Sequence, residues 1–109
     1  MNIMFKSTRG DKNYVTASQA IVQGIANDGG LFVPETIPTI DFPLEKITEM
    51  SYQELAYEVL KLILTDYTEE ELKYCINSAY DEKFDTKLIA PLVSAGNGNF
   101  LELFHGKTI

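Results

Sequence analysis

The chain has 109 residues, enough for one small domain and too few for two independent folding units. With 45% hydrophobic and 11% aromatic residues it can form a core, which excludes a disordered, highly charged tail. Nine Lys and Arg against sixteen Asp and Glu leave a net charge of −7, a sign that repels phosphate backbones and anionic headgroups and argues against nucleic-acid and membrane partners.

Asn2 to Lys6 is short and apolar, and the polar run Ser7 to Asn13 follows it, so a strand and then a loop are expected. Thr16 and Gln19 have capping-box spacing, and Ala17, Ala20, Ile21, Gly24 and Ile25 follow at helical period, predicting a short helix from Ala17 to Ala26. Asn27-Asp28-Gly29-Gly30 ends it, because glycine accepts positive φ and Asn or Asp tolerates it better than most residues. Leu31 to Val33 reads as a β-strand, after which Pro34, Pro38 and Pro43 deny the backbone a continuous ladder and leave an extended crossing.

Ser51 and Glu54 repeat the capping spacing, and Tyr52, Leu55, Ala56, Val59, Leu60, Ile63 and Leu64 form an apolar stripe at i, i+3, i+4. Thr68 and Glu71 cap the next helix, with Glu69, Glu70 and Glu71 at the positive end of its dipole and Leu72, Cys75, Ile76, Ala79 and Tyr80 as its buried stripe. The turn from Thr65 to Tyr67 is short enough to make these helices antiparallel neighbours. Beyond them, Phe84 to Val93 is mixed, Ser94 to Asn99 is turn-rich, and Phe100 to Phe104 reads as a last strand. The expected fold class is α+β: one small domain spanning residues 1–109, its helical hairpin packed on a short sheet that contains both the Leu31 to Val33 and the Phe100 to Phe104 strands. The chain stops at Ile109 without a cap or a polar tail, so an incomplete unit is expected.

One cysteine cannot form an intramolecular disulfide, and no apolar run near the N-terminus is long enough for a signal peptide; a cytoplasmic location follows as the simplest expectation. Cys75 lies in an apolar helical stripe with no base beside it, which reads as core packing rather than a nucleophile. His105 follows a strand directly and is a candidate general base or substrate contact, against the alternative of a structural histidine. Arg9 sits among Ser7, Thr8 and Gly10, where a guanidinium with hydroxyls and a free amide suits a phosphate or carboxylate; a surface salt bridge is the rival. Gly96-Asn97-Gly98-Asn99 lacks a following helix and is a turn, and Glu69 to Glu71 point in different directions and cannot converge on a metal. No catalytic, cofactor-binding or metal set is self-contained in the chain.

Ser7-Thr8-Arg9-Gly10, the segment Ala20 to Glu35 with its Q-G-x-A-x-D-G-G-L-x-V-P pattern, Ser51 to Ala56, and Leu101-Glu102-Leu103-Phe104-His105-Gly106-Lys107-Thr108 in this order resemble the N-terminal domain of threonine synthase. The resemblance spans essentially the whole chain. It implies an intact enzyme that converts O-phospho-L-homoserine and water to L-threonine and phosphate with pyridoxal phosphate, whose lysine would lie just beyond Ile109. The fragment would then be inactive alone, bind no cofactor, and pack against catalytic domains of the same polypeptide. Thr8, Arg9, His105 and Thr108 would lie beside the phosphorylated amino-acid substrate. Lys107 stands where that family commonly has proline. Two alternatives are a freestanding interaction module of the same fold and a threonine synthase-like enzyme acting on another phosphorylated amino alcohol.

Overall fold

The computed structural model describes residues 2–106. Strand β1 (Phe5–Ser7) pairs antiparallel with β2 (Phe32–Pro34), in the register Phe5 to Pro34, Lys6 to Val33 and Ser7 to Phe32. Phe5 also exchanges backbone hydrogen bonds with Val15, at 2.7 and 3.0 Å, which folds the intervening loop back over the strand. Helix α1 (Ala17–Gln23) starts at a complete Thr16–Gln19 capping box. It ends three residues before Ala26, because Gly24 takes φ +82° as its C-cap. Ala17 and Ala20 bury their side of α1 against Phe5, with Ile63 and Leu64 closing over the cluster.

Between Pro34 and the helical hairpin the backbone is not wholly extended. Leu44–Glu49 forms a 3-10 helix whose last turn is closed by the Met50 amide on the Ile47 carbonyl. Pro43 precedes it, a position where a missing N–H costs nothing. Helices α2 (Tyr52–Ile63) and α3 (Glu69–Ala79) then pack on each other around Leu72 and Ile76. Thr68 and Glu71 make both halves of their box, whereas Ser51 caps the Glu54 amide at 3.1 Å and spends its own hydroxyl proton on the Glu54 carboxylate. Tyr52 and Tyr80 meet edge to face, and the Gln53 amide donates to the Tyr80 carbonyl, tying the two open ends of the hairpin. The loop between these helices reaches α1: Asp66 accepts from the Ser18 backbone at 3.2 Å and from its hydroxyl, and Thr65 accepts from the Ile3 amide at 2.8 Å.

The α+β class and the helical hairpin are as expected; the sheet is not a single one. Strand β3 (Leu92–Ala95) pairs with β4 (Gly98–Leu101), and this second hairpin is separate from β1–β2. The last strand therefore ends at Leu101, before Phe104, and its partner comes from the end of the mixed stretch and the start of the turn-rich one. Gly96 at φ +60° and Asn97 form the two-residue turn, the place where a right-twisted hairpin needs positive φ first. The α3 stripe is narrower than its periodicity predicts. Cys75 is exposed rather than packed in a core, and Ala79 is exposed too, since one neighbouring helix covers the Leu72–Ile76 strip and not its flank. On α2, Val59 is likewise on the exposed side of the line at 37%.

Candidate functional site

Strand β1 delivers Ser7 into the interior, 5% exposed, and the chain then turns at Gly10. The Ser7 hydroxyl donates to Asp28 Oδ1 at 2.6 Å and accepts the Arg9 amide at 3.1 Å. The same Asp28 oxygen accepts the Gly30 amide at 3.0 Å, while Oδ2 accepts the Asp11 amide at 2.9 Å. Thr8 is paired with Leu31 twice, its amide donating to the Leu31 carbonyl and its Oγ1 accepting the Leu31 amide. One carboxylate thus joins the β1 loop to the turn after α1.

The two glycines of that turn are required by close approach. A Cβ on Gly30 would lie 2.2 Å from Ser7 Oγ and 3.0 Å from the Arg9 amide nitrogen, and one on Gly29, at φ +82°, would lie 2.7 Å from Arg9 Nη1. Arg9 lays its guanidinium across this bare backbone and donates from Nη1 to the Asp28 carbonyl at 3.2 Å. No ion pair of Arg9 with a carboxylate occurs among the described residues, so its remaining N–H groups face outward on an exposed side chain. Beside it, Lys6, Lys12, Thr8 and Tyr14 line a groove of about 400 Å³, to which Asp11 adds one acid. In a chain of net charge −7, three of the nine cations stand at this loop.

The Ser7 hydroxyl, then the Gly30 and Asp11 amides, hold the Asp28 carboxyl below the ordinary carboxylate range against a smaller opposing effect of burial. A carboxyl whose folded pKa is depressed contributes stability above its unfolded value, and that contribution disappears as pH falls through the folded value. Asp28→Asn is expected to remove this part of the acid limb. After allowance for the intrinsic exchange rate, protection of the Gly30 and Asp11 amides, measured by NMR between about pH 3 and pH 6, should fall on acidification in the parent chain and stay flat in the variant. Identical pH profiles would refute the assignment.

His105 occupies a different place. Its Nδ1 meets Asp85 and its Nε2 meets Glu102 Oε1 at 2.8 Å, while its carbonyl accepts the Asp85 amide at 3.2 Å. The Glu102 carboxylate first, and Asp85 with it, raise the imidazole pKa against the opposing effect of burial. With a carboxylate at each nitrogen, the protonated form of the ring is favoured over its ordinary share. No hydrogen bond or ion pair among the described residues links His105 to the Thr8–Arg9 loop. Thr108 lies outside the described residues.

Sequence reasoning treated Asp28 only as a helix breaker and gave no role to Asp85 or Glu102. The local signal for Asp28 was present, since an Asx side chain accepting the amide two residues on is a common turn device. Its bonds to Ser7 and Asp11, 21 and 17 residues away, left none. Glu69 is committed to Lys73 at 2.7 Å and Glu71 to the Thr68 cap, and no metal-holding group occurs among the described residues. Lys61, Lys73 and Lys83 are each paired with a nearby acid, and the Gly30 amide that could have met a phosphate is taken by Asp28.

A family described as Threonine synthase N terminus matches residues 4–80. The chain belongs to this family. Threonine synthase of Schizosaccharomyces pombe is 37% identical over 97% of this family member and 21% of its own length. Threonine synthase-like 1 of Homo sapiens is 36% identical over 84% of the chain and 13% of its own length. A threonine synthase from Brucella melitensis, solved with PLP bound, superposes with TM-score 0.80 and 32% identity over 97% of this chain and 23% of that one. That of Escherichia coli gives TM-score 0.69 and 25% identity. This Threonine synthase N-terminal chain spans about a fifth of the length of the threonine synthases it matches.

Proposed function

We propose that the chain is the N-terminal domain of a threonine synthase, and that the polypeptide containing it converts O-phospho-L-homoserine and water to L-threonine and phosphate. The single observation that carries this reading is the alignment of 97% of the chain with the S. pombe threonine synthase. Pyridoxal phosphate, the electron sink of that chemistry, would be held by residues beyond those described. The chain's own part is to position and enclose. Arg9, anchored through one N–H to the Asp28 carbonyl, turns the rest of its fork toward the substrate's phosphate or carboxylate, with Thr8 beside it. Lys6 and Lys12 raise the local potential for an anion on a chain that otherwise repels one. His105 stands beside the substrate with both ring nitrogens engaged by Asp85 and Glu102.

Packing against catalytic domains of the same polypeptide is supported by apolar surface left in solvent. Val22 on α1 is 88% exposed, and Leu103 and Phe104, beyond the end of β4, are 75% and 70% exposed. We place the protein in the cytoplasm; no helix among the described residues is long and apolar enough to cross a membrane. The similarity to threonine synthase-like 1 favours one further reading, a relative acting on another phosphorylated amino alcohol.

Phosphate release from O-phospho-L-homoserine by the polypeptide that contains this chain tests the main reading, and turnover of a different phosphorylated amino alcohol in its place would favour the second. The 109-residue chain by itself is expected to give no stoichiometric, lysine-dependent absorbance band when titrated with pyridoxal phosphate. A band abolished by one lysine substitution in this chain would contradict that.

A further inference from the structure

No strand residue of the β3–β4 hairpin is buried, and its strands pair only with each other among the described residues. What holds it to the rest of the chain is gathered at its outgoing end. His105 is the hub: its side chain is 15% exposed, against 70% for that of Asp85, and both of its ring nitrogens are occupied by carboxylates from different stretches. Asp85 comes from segment 81–89, which follows α3. Glu102 follows β4 directly and is fixed by its amide on the Pro91 carbonyl at 2.9 Å. Next to the hub Gly106 lies against the Phe84 ring, so close that a Cβ there would stand 2.9 Å from two ring carbons.

We propose that His105 is an electrostatic latch: its imidazolium, bracketed by Asp85 and Glu102, fixes the β3–β4 hairpin to segment 81–89, and loss of the ring proton releases it. The chemistry of the ring demands this asymmetry. An imidazolium donates from both nitrogens and satisfies both carboxylates, whereas a neutral imidazole has one N–H, so one carboxylate must then face a lone pair. No mixed tautomer avoids the loss. Among the described residues the charged groups facing the ring are these two acids; Lys83, in the same segment as Asp85, is committed to Asp81 at 2.8 Å and to the Ser78 carbonyl at 2.7 Å. The Phe104 ring, 4.5 Å away between centroids, is the uncharged wall.

A histidine whose folded pKa is raised contributes stability that is fully present below its ordinary value and is lost as pH rises through the folded value. The hairpin is therefore docked below the ordinary histidine value and loosened as pH rises through the raised folded value. This inference concerns the chain alone and stands whatever reaction the complete polypeptide performs.

The test is an NMR titration of the 109-residue chain from about pH 5.5 to pH 9.5, following the His105 ring protons, the Gly106 α-protons beneath Phe84, and exchange of the Asp85 amide. The His105 midpoint is expected above 6.5, the ordinary value, with the Gly106 shift moving at the same midpoint. After allowance for the intrinsic rate, protection of the Asp85 amide should fall about tenfold or more across that midpoint. Asp85→Asn should lower the His105 midpoint, and His105→Gln should leave Gly106 at its alkaline shift throughout. A His105 midpoint at or below the ordinary value, or Gly106 and Asp85 signals indifferent to it, overturns the latch. Should His105→Gln fail to fold, the parent and Asp85→Asn titrations decide the matter without it.

Discussion

Gly30→Ala is expected to lower the stability of the chain by about 2–4 kcal/mol, a fall in Tm on the order of 10 °C or more for a domain of this size. The added methyl would sit 2.2 Å from Ser7 Oγ, and the second and third neighbours, the Arg9 amide nitrogen and Thr8 Oγ1, are both at 3.0 Å. Ser7 has little room to yield. It is buried at the end of β1, and swinging its hydroxyl away would leave Asp28 without the donor that most stabilises its charge. The backbone amide of Arg9 cannot move without dragging the loop that carries the proposed anion contact. Gly98→Ala is the matched control, since its Cβ would meet only the Phe100 ring at 3.5 Å and the Ala95 carbonyl at 3.8 Å, ordinary contacts, and a loss below about 1 kcal/mol is expected there. Thermal unfolding followed by circular dichroism compares the two. If Gly30→Ala melts with the control, the junction of the two loops is softer than its hydrogen bonds imply.

Arg9→Lys, made in the polypeptide that carries this chain together with its catalytic domains, is expected to cost tenfold or more in kcat/KM for O-phospho-L-homoserine. That corresponds to about 1.5–3 kcal/mol for one charge-assisted contact. Lysine keeps the charge but loses the planar fork, so a bidentate partner feels the change and a diffuse field does not. Tm should hardly move, because the one described contact of the guanidinium is an exposed hydrogen bond to the Asp28 carbonyl at 3.2 Å. Unaltered turnover together with a lower Tm would assign Arg9 to the scaffold and withdraw it from the site.

Legibility of the fold followed the range of the interactions concerned. The capping residues Thr16, Ser51 and Thr68 act within four residues, and each is where the sequence places it; the stop of α1 is not, since Gly24 at φ +82° ends the helix before the Asn27 to Gly30 breaker is reached. The Leu31 to Val33 strand is displaced by a single residue, to Phe32–Pro34, because pairing to β1 rather than intrinsic β-preference sets its ends. The Phe100 to Phe104 strand illustrates the converse: apolar content alone marks Leu103 and Phe104 as strand, yet the two-residue turn at Gly96-Asn97 fixes the register and uses up Leu92–Ala95 first. Cys75 was misplaced for a related reason. Helical period gives the direction of a side chain but not whether a neighbour exists on that side.

The candidate site divides in the same way. Arg9, Thr8 and His105 were recognisable from residue type and loop position, and their partners were not. The carboxylate that organises the first loop, Asp28, and the two that bracket His105, Asp85 and Glu102, differ from many other acids of the chain only by where the fold puts them. By itself the sequence determined the class, the helices with their caps, the helical hairpin and the family pattern, since these rest on short-range stereochemistry and on spacing. Only the tertiary structure decided that the strands form two separate hairpins, that Ser7, Asp28 and Gly30 lock one loop onto another, and that the lone histidine is bracketed by two carboxylates. Each of these depends on which distant groups share a place, and the energy of a carboxylate or an imidazole is set by those neighbours rather than by its own position in the chain.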